Sequence, residues 1–438
     1  MTEERVIHVE ALARVEGEGA LTIRVRDKRV EEVQLRIFEP PRLFEAFLRG
    51  RRIEEVPDIT ARICGICPVA YQMSTVHALE AALDVTVPRS IRQLRRLLYC
   101  GEWIESHALH MHLLQAPDFL GYDSGLSMAQ DFPREVTRGL TIKKYGNEIL
   151  EVLGGRAIHP VNVAVGGFHR LPRREELTAL LPHLQEGLAL SIEVASWVSR
   201  LNFPAFTPSY EWVALVHPDE YPMNEGVITS RTGEAWLVND YETAFEEIHL
   251  PHTTALQSRR SGRGTPYFVG PIARLNLNWD RLHPIARQTA DGLGIAWPTS
   301  NPFHGIVARA LEVIHAFAES IELIQHYQPT IPARQQYSLR DAEGCAATEA
   351  PRGLLYHRYR INREGTVDFS KIVPPTSQNQ AQIEEDLRSW VTTLLDHDDR
   401  HIAQQCEFLI RNYDPCISCA THFLRVTIDR REESCSPP

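Results

Sequence analysis

The stretch RICGICP (Arg62–Pro68) lies near one end of the sequence and DPCISCATH (Asp414–His422) near the other, and each carries a Cys-x-x-Cys pair. Cys64 and Cys67 put two sulfurs within reach of one ion, and Cys416 and Cys419 repeat the spacing. Almost the whole chain separates the two pairs. If the fold joins its ends, four thiolates converge on one centre, and thiolates select soft metals: zinc, copper(I), nickel or iron. Four readings compete: a structural zinc site, a redox dithiol, an iron–sulfur cluster, and a catalytic soft-metal centre. Most zinc modules close a short loop, and a dithiol uses only one pair. Spacing alone leaves the choice open.

Composition narrows the class. The 438 residues are 43% hydrophobic, enough for a large core. A net charge of −11 argues against a general nucleic-acid binder. No apolar run reaches about 18 residues, so no membrane span is expected. The start, MTEERVIHVE, lacks the basic and apolar regions of a signal peptide, so the predicted location is the cytoplasm. Eight scattered cysteines do not make a secreted disulfide framework. In a reducing compartment, Cys-x-x-Cys pairs are more often metal or redox sites.

Periodicity predicts a mainly α fold with small β elements. Leu21, Ile23 and Val25, then Val33, Leu35 and Ile37, flank a turn near Asp27-Lys28, as in an N-terminal antiparallel hairpin. Helical spacing predicts long helices over 69–83, 89–114, 131–153, 173–200, 279–294, 304–328 and 378–411. Residues 204–272 are richer in Gly, Pro and β-formers and read as a smaller α/β excursion. No distinct linker interrupts the helices, so one large domain is expected over 1–422.

The neighbours of the cysteines say more. RICGICP and DPCISCATH closely resemble the two signature motifs of nickel–iron hydrogenase large subunits. Further matches follow in family order: ARVEGEG (Ala13–Gly19), PPRLFEAFLRGR (Pro40–Arg51), SHALHMHLLQAPD (Ser106–Asp118), EAPRG (Glu349–Gly353) and VPPTSQN (Val373–Asn379). The motif style, with HPDEYPMNEG (His217–Gly226), is more like the soluble, cofactor-linked branch of NAD(P)-type bidirectional enzymes and sulfhydrogenase alpha subunits.

The resemblance implies the large-subunit fold and a set of roles. Cys64 and Cys416 would be terminal nickel ligands, and Cys67 and Cys419 would bridge nickel to an iron carrying carbon monoxide and cyanide. Glu16 would take the proton from the Cys416 sulfur, and Arg352 would hang over the open metal site. Pro351 would pack against a diatomic ligand, and Thr376 would hydrogen-bond a cyanide. Asp118 and Asp414 would hold Arg352. Glu45, His422 and the carbonyl of Ile372 would bind magnesium. The reaction implied is reversible cleavage of H2 to protons and electrons. The implied partners are a small iron–sulfur subunit, flavin and iron–sulfur diaphorase-type subunits leading to NAD(P), and a maturation endopeptidase that removes a tail over 423–438. His107 and His110 are expected to be hydrogen-bonded packing residues. One departure stands out: Tyr71 occupies a position where many relatives carry histidine, and a phenol is no equivalent base near neutral pH. A hydrogen sensor with the same site and a zinc-stabilised non-catalytic subunit are the rival readings.

Overall fold

The structure is a computed structural model that describes residues 4–40, 42–329 and 332–421. His422 and the expected removable tail lie outside the described residues. The N-terminal hairpin forms as Gly19–Arg26 and Arg29–Ile37, joined by Asp27 and Lys28, both with positive φ. Such a two-residue turn matches the right-handed twist of its strands. Glu4–Val9 adds a third antiparallel strand, with Ile7 opposite Ile23.

Helices build the body. Arg89–Leu109 runs through the middle and packs against Pro133–Gly154 and Gly305–Gln325. Two glycines permit the first contact: a Cβ on Gly146 would stand 2.7 Å from the carbonyl oxygen of Gly101. The expected helix over 89–114 changes pitch to a π-helical turn at His110–Gln115. The segment expected over 378–411 divides into Pro375–Thr392 and Asp399–Asn412. Asp398 starts the second helix by accepting the His401 N–H, an N-cap that periodicity does not register. The 173–200 segment likewise splits into Arg174–Thr178 and Leu181–Val198, with Pro182 in the first turn of the latter. Within 279–294 the α-helix covers only Pro284–Asp291, after a 3-10 turn at Trp279–Arg281.

A three-stranded antiparallel sheet, Ala342–Ala350, Gly353–Ile361 and Val367–Val373, was not expected from the sequence. Its strands are buried on most positions and lack clean alternation, which hides their period. The sheet packs against Pro68–Leu83, the helix that follows the first cysteine pair. Pro351 and Arg352 form the two-residue tip between its first two strands. Residues 204–272 hold short strands, including Val213–Val216 and Val227–Ser230, around a small apolar cluster shared with Ala347, Leu354, Tyr356 and Val373 of that sheet.

Candidate metal centre

The two cysteine pairs meet. Cys64 and Cys67 sit in the loop between a 3-10 turn at Ala61–Ile63 and the helix Pro68–Leu83, with Pro68 opening that helix. Cys416 and Cys419 follow the helix Asp399–Asn412. The N-terminal segment reaches them through a bridge between Glu16 and Cys416. The Cys64 and Cys416 sulfurs are 3.6 Å apart. Those of Cys64, Cys67 and Cys419 all lie within 4.8 Å of one another. Every one of the four residues is at most 4% exposed. The Cys416 and Cys419 sulfurs are in disulfide contact; binding a metal requires them as two separate thiolates.

Electrostatics prepares the first pair. Burial opposes ionisation of Cys64, yet its pKa is lowered, because the Cys67 thiol, the Arg352 guanidinium and the N–H groups of Cys67 and Ile66 favour the thiolate. The hydrogen bond to Cys64 and burial hold the Cys67 thiol well above its ordinary range. Four buried sulfurs with this preorganisation fit a soft transition metal.

The surrounding side chains converge on the same point. Glu16 Oε2 lies 2.9 Å from Cys416 Sγ and accepts the Ser418 N–H at 3.1 Å. Thr376 Oγ1 accepts the Cys416 N–H at 3.0 Å, which leaves its own proton to donate elsewhere. Arg352 donates through Nε to the Asp414 carbonyl (2.8 Å) and through Nη2 to Asp414 Oδ1 (3.2 Å). Its buried Nη1 has no hydrogen-bond partner among the described residues. A buried guanidinium nitrogen with donor capacity to spare, in the field of Cys64 and Cys67, fits a centre that takes a further ligand. Pro351 is buried, and its carbonyl accepts from Arg274 at 2.9 Å.

Asp118 departs from expectation. Its carboxylate is gripped by Arg14 (2.5 Å) and Arg411 (2.7 Å) rather than by Arg352. It therefore ties the Glu16 segment to the residues just before Asp414. His107 bonds Glu312 and His110 bonds the Arg411 carbonyl, both fully buried, in agreement with packing roles. Burial drives their imidazoles down to about 4 and about 3. Tyr71 is buried with its ring 5.7 Å from that of His357. Burial and the neighbouring thiols push its hydroxyl well above the ordinary tyrosine range.

For the second metal, Glu45 Oε1 accepts the Ile372 N–H at 2.8 Å. Burial raises the Glu45 carboxyl to about 8 and that of nearby Glu247 to about 7, although Lys371 is beside them. The described contact with Ile372 is through its N–H; His422 lies outside the described residues.

Sequence reasoning missed the ion network behind Arg352. Arg274 forks onto Glu312 (2.8 Å twice), reaches Glu349 (3.1 Å), and donates to the Ala350 carbonyl at 2.8 Å. Burial opposes the Glu312 carboxylate, but Arg274 overrides it and takes its pKa to about 2. Removing one partner of such a buried pair costs roughly 3–5 kcal/mol. Together with the Pro351 and Ala350 carbonyl contacts, this network fixes the turn that presents Arg352. Its signal was Glu312 within the apolar run ALEVIHAFA. Glu102 was missed too: it accepts the Val69 and Ala70 N–H groups at the start of the helix after Cys67.

The family model for nickel-dependent hydrogenase matches residues 42–137 and 263–422, more than half of the chain. The chain belongs to the nickel-dependent hydrogenase family. It is 34% identical over 424 residues to sulfhydrogenase 1 subunit alpha of Pyrococcus furiosus, covering 96% of this chain and 98% of that one. It is 26% identical over 470 residues to the NAD-reducing hydrogenase HoxS subunit beta of Cupriavidus necator, covering 96% and 95%. The crystal structure of an NAD+-reducing NiFe-hydrogenase in the H2-reduced state superposes with a TM-score of 0.88 at 27% identity, covering 95% of this chain and 99% of that chain. This chain is thus a catalytic large subunit of a nickel-dependent hydrogenase, an oxidoreductase with the large-subunit fold.

Proposed function

We propose that this hydrogenase subunit cleaves H2 heterolytically and reversibly, and that its electrons pass through a small iron–sulfur subunit to NAD(P). The observation that carries the reading is the convergence of four buried sulfurs with Glu16 2.9 Å from one of them. A nickel–iron centre on these thiolates, its iron bearing carbon monoxide and cyanide, supplies the Lewis-acidic, redox-active atoms at which hydrogen splits. The residues do the rest. Cys64, Cys67, Cys416 and Cys419 would hold that centre. Glu16 Oε2 takes the proton from Cys416 Sγ. Arg352, held by Asp414, keeps a fixed positive charge over the site. Thr376 and Pro351 line the place of the diatomic ligands, and Asp118 braces the ends of the chain that carry Glu16 and Asp414. Glu45, the carbonyl of Ile372 and His422, the last outside the described residues, would hold magnesium.

The partner follows from electron transfer. Among the described residues the remaining cysteines, Cys100, Cys345 and Cys406, are scattered through the fold and form no cluster site. A separate iron–sulfur subunit then carries the electrons, with diaphorase-type subunits beyond it. NAD(P) as acceptor is supported by the names of the relatives. Among the described residues no helix is long and apolar enough to cross a membrane, and the predicted location remains the cytoplasm. The purified complex should reduce NAD+ or NADP+ under H2 and form HD from D2 in ordinary water. HD formation without nucleotide reduction would remove the acceptor and keep the chemistry; absence of both would remove the reading.

A further inference from the structure

The proton that reaches Glu16 needs a way out, and the acids near the sulfurs differ in what they can offer. Glu102 spends both carboxylate oxygens on the N–H groups of Val69 and Ala70. Glu105 is held by Lys143 at 2.9 Å. Glu39 is different. Ser418 Oγ donates to both of its carboxylate oxygens, each at 2.8 Å. The same Ser418 gives its N–H to Glu16 Oε2 at 3.1 Å. One residue therefore touches the acid beside the sulfur and a second acid farther out. Glu39 is half-buried, and its neighbours Phe38 and Pro40 are exposed, so its carboxyl stands at the edge of solvent. Thr254 fixes this strand end by donating through Oγ1 to the Glu39 carbonyl at 2.8 Å.

The chain makes room for this contact. Gly17, next to Glu16, has φ +86°, and a Cβ there would stand 2.8 Å from Ser418 N and 2.9 Å from Glu39 Oε2. Any side chain would wedge the two apart and would also be strained. The absence of a side chain at residue 17 is what lets Glu39 lie on Ser418 directly beneath Glu16.

We propose that Ser418 and Glu39 form the proton exit from Glu16 to the surface; this rests on the role assigned to Glu16 above. Rotation about the last torsion of Glu16, which is broad for a carboxyl group, turns its oxygen from the Ser418 N–H to Oγ. The Glu16 proton passes to Ser418 Oγ as the Ser418 hydroxyl proton passes to Glu39. Glu16 is left a carboxylate, Ser418 is unchanged, and Glu39 becomes a carboxylic acid that gives its proton to water. No electron moves in the step.

The test uses the whole hydrogenase complex with Glu39→Gln, and with Ser418→Ala, which keeps the N–H to Glu16. Both should retain nickel, lose turnover on the order of tenfold or more, and show a larger solvent deuterium isotope effect. Small weak acids such as acetate or imidazole should restore the Glu39→Gln rate as their concentration rises, since they replace the missing carrier. Infrared difference spectra between hydrogen-reduced and oxidised protein should lose one carboxyl C=O band in Glu39→Gln. Parent-like rates, isotope effects and carboxyl bands in both variants would overturn the exit. So would loss of nickel from both, which assigns the pair a structural role. Glu16→Gln separates the two readings: if it turns over like the parent, the role of Glu16 falls and the exit with it. If Glu16→Gln is slow while both outer variants match the parent, the exit alone falls.

Discussion

Cys416→Ser should abolish nickel retention and hydrogen turnover, whereas Cys406→Ser should leave both near the parent level. The two cysteines are ten positions apart and both buried, so exposure does not separate them. Surroundings do. The Cys416 sulfur lies 3.6 Å from that of Cys64, in contact with that of Cys419 and 2.9 Å from Glu16. Cys406 sits in the helix Asp399–Asn412 among apolar neighbours, and burial pushes its thiol up to about 12. Among the described residues no group of metal-ligating side chains includes it. Serine at 416 offers a hard, weakly acidic oxygen where a soft thiolate is needed, so the loss should be complete. Elemental analysis of the purified variants checks it. The reversed result, nickel kept by Cys416→Ser and lost from Cys406→Ser, would refute the ligand assignment.

Glu16→Gln should keep nickel and lose turnover by roughly 10²–10⁴-fold, the usual contribution of a positioned acid or base. The amide oxygen still accepts the Ser418 N–H, and the bridge between Glu16 and Cys416 is made by backbone atoms, so the local fold survives. What disappears is the carboxyl group beside the Cys416 sulfur, which accepts a proton and releases it again. Hydrogen-oxidation rates measured beside nickel content decide the matter. Nickel lost together with turnover would make Glu16 a structural anchor instead.

The cysteine pairs were legible from residue type and spacing, whereas Glu16 and Arg352 were singled out only through the resemblance of the motifs that hold them. The long helices were legible because each buries one face and keeps a helical period. The sheet around EAPRG was not. Most of its positions are buried, so alternation vanishes, and its order depends on packing against Pro68–Leu83, far away in sequence. Helix breaks at 179–180 and 393–398 escaped for a related reason: the apolar period continues across them while local caps end the helix. Asp118 shows the limit for site residues. Its motif placed it near the centre, but which arginine it holds depends on three segments meeting, and the meeting favours Arg14 and Arg411. The Arg274–Glu312–Glu349 network was hidden too, because charged residues in apolar helices reveal burial without naming their partners.

The most direct measurement is the metal and ligand content of the purified subunit in its complex: elemental analysis with infrared spectroscopy of the same sample. Nickel and iron in equal amounts in this subunit, with carbonyl and cyanide stretches, is the result expected from four sulfurs closing on one bimetallic site. Zinc alone, with no such stretches, would contradict it.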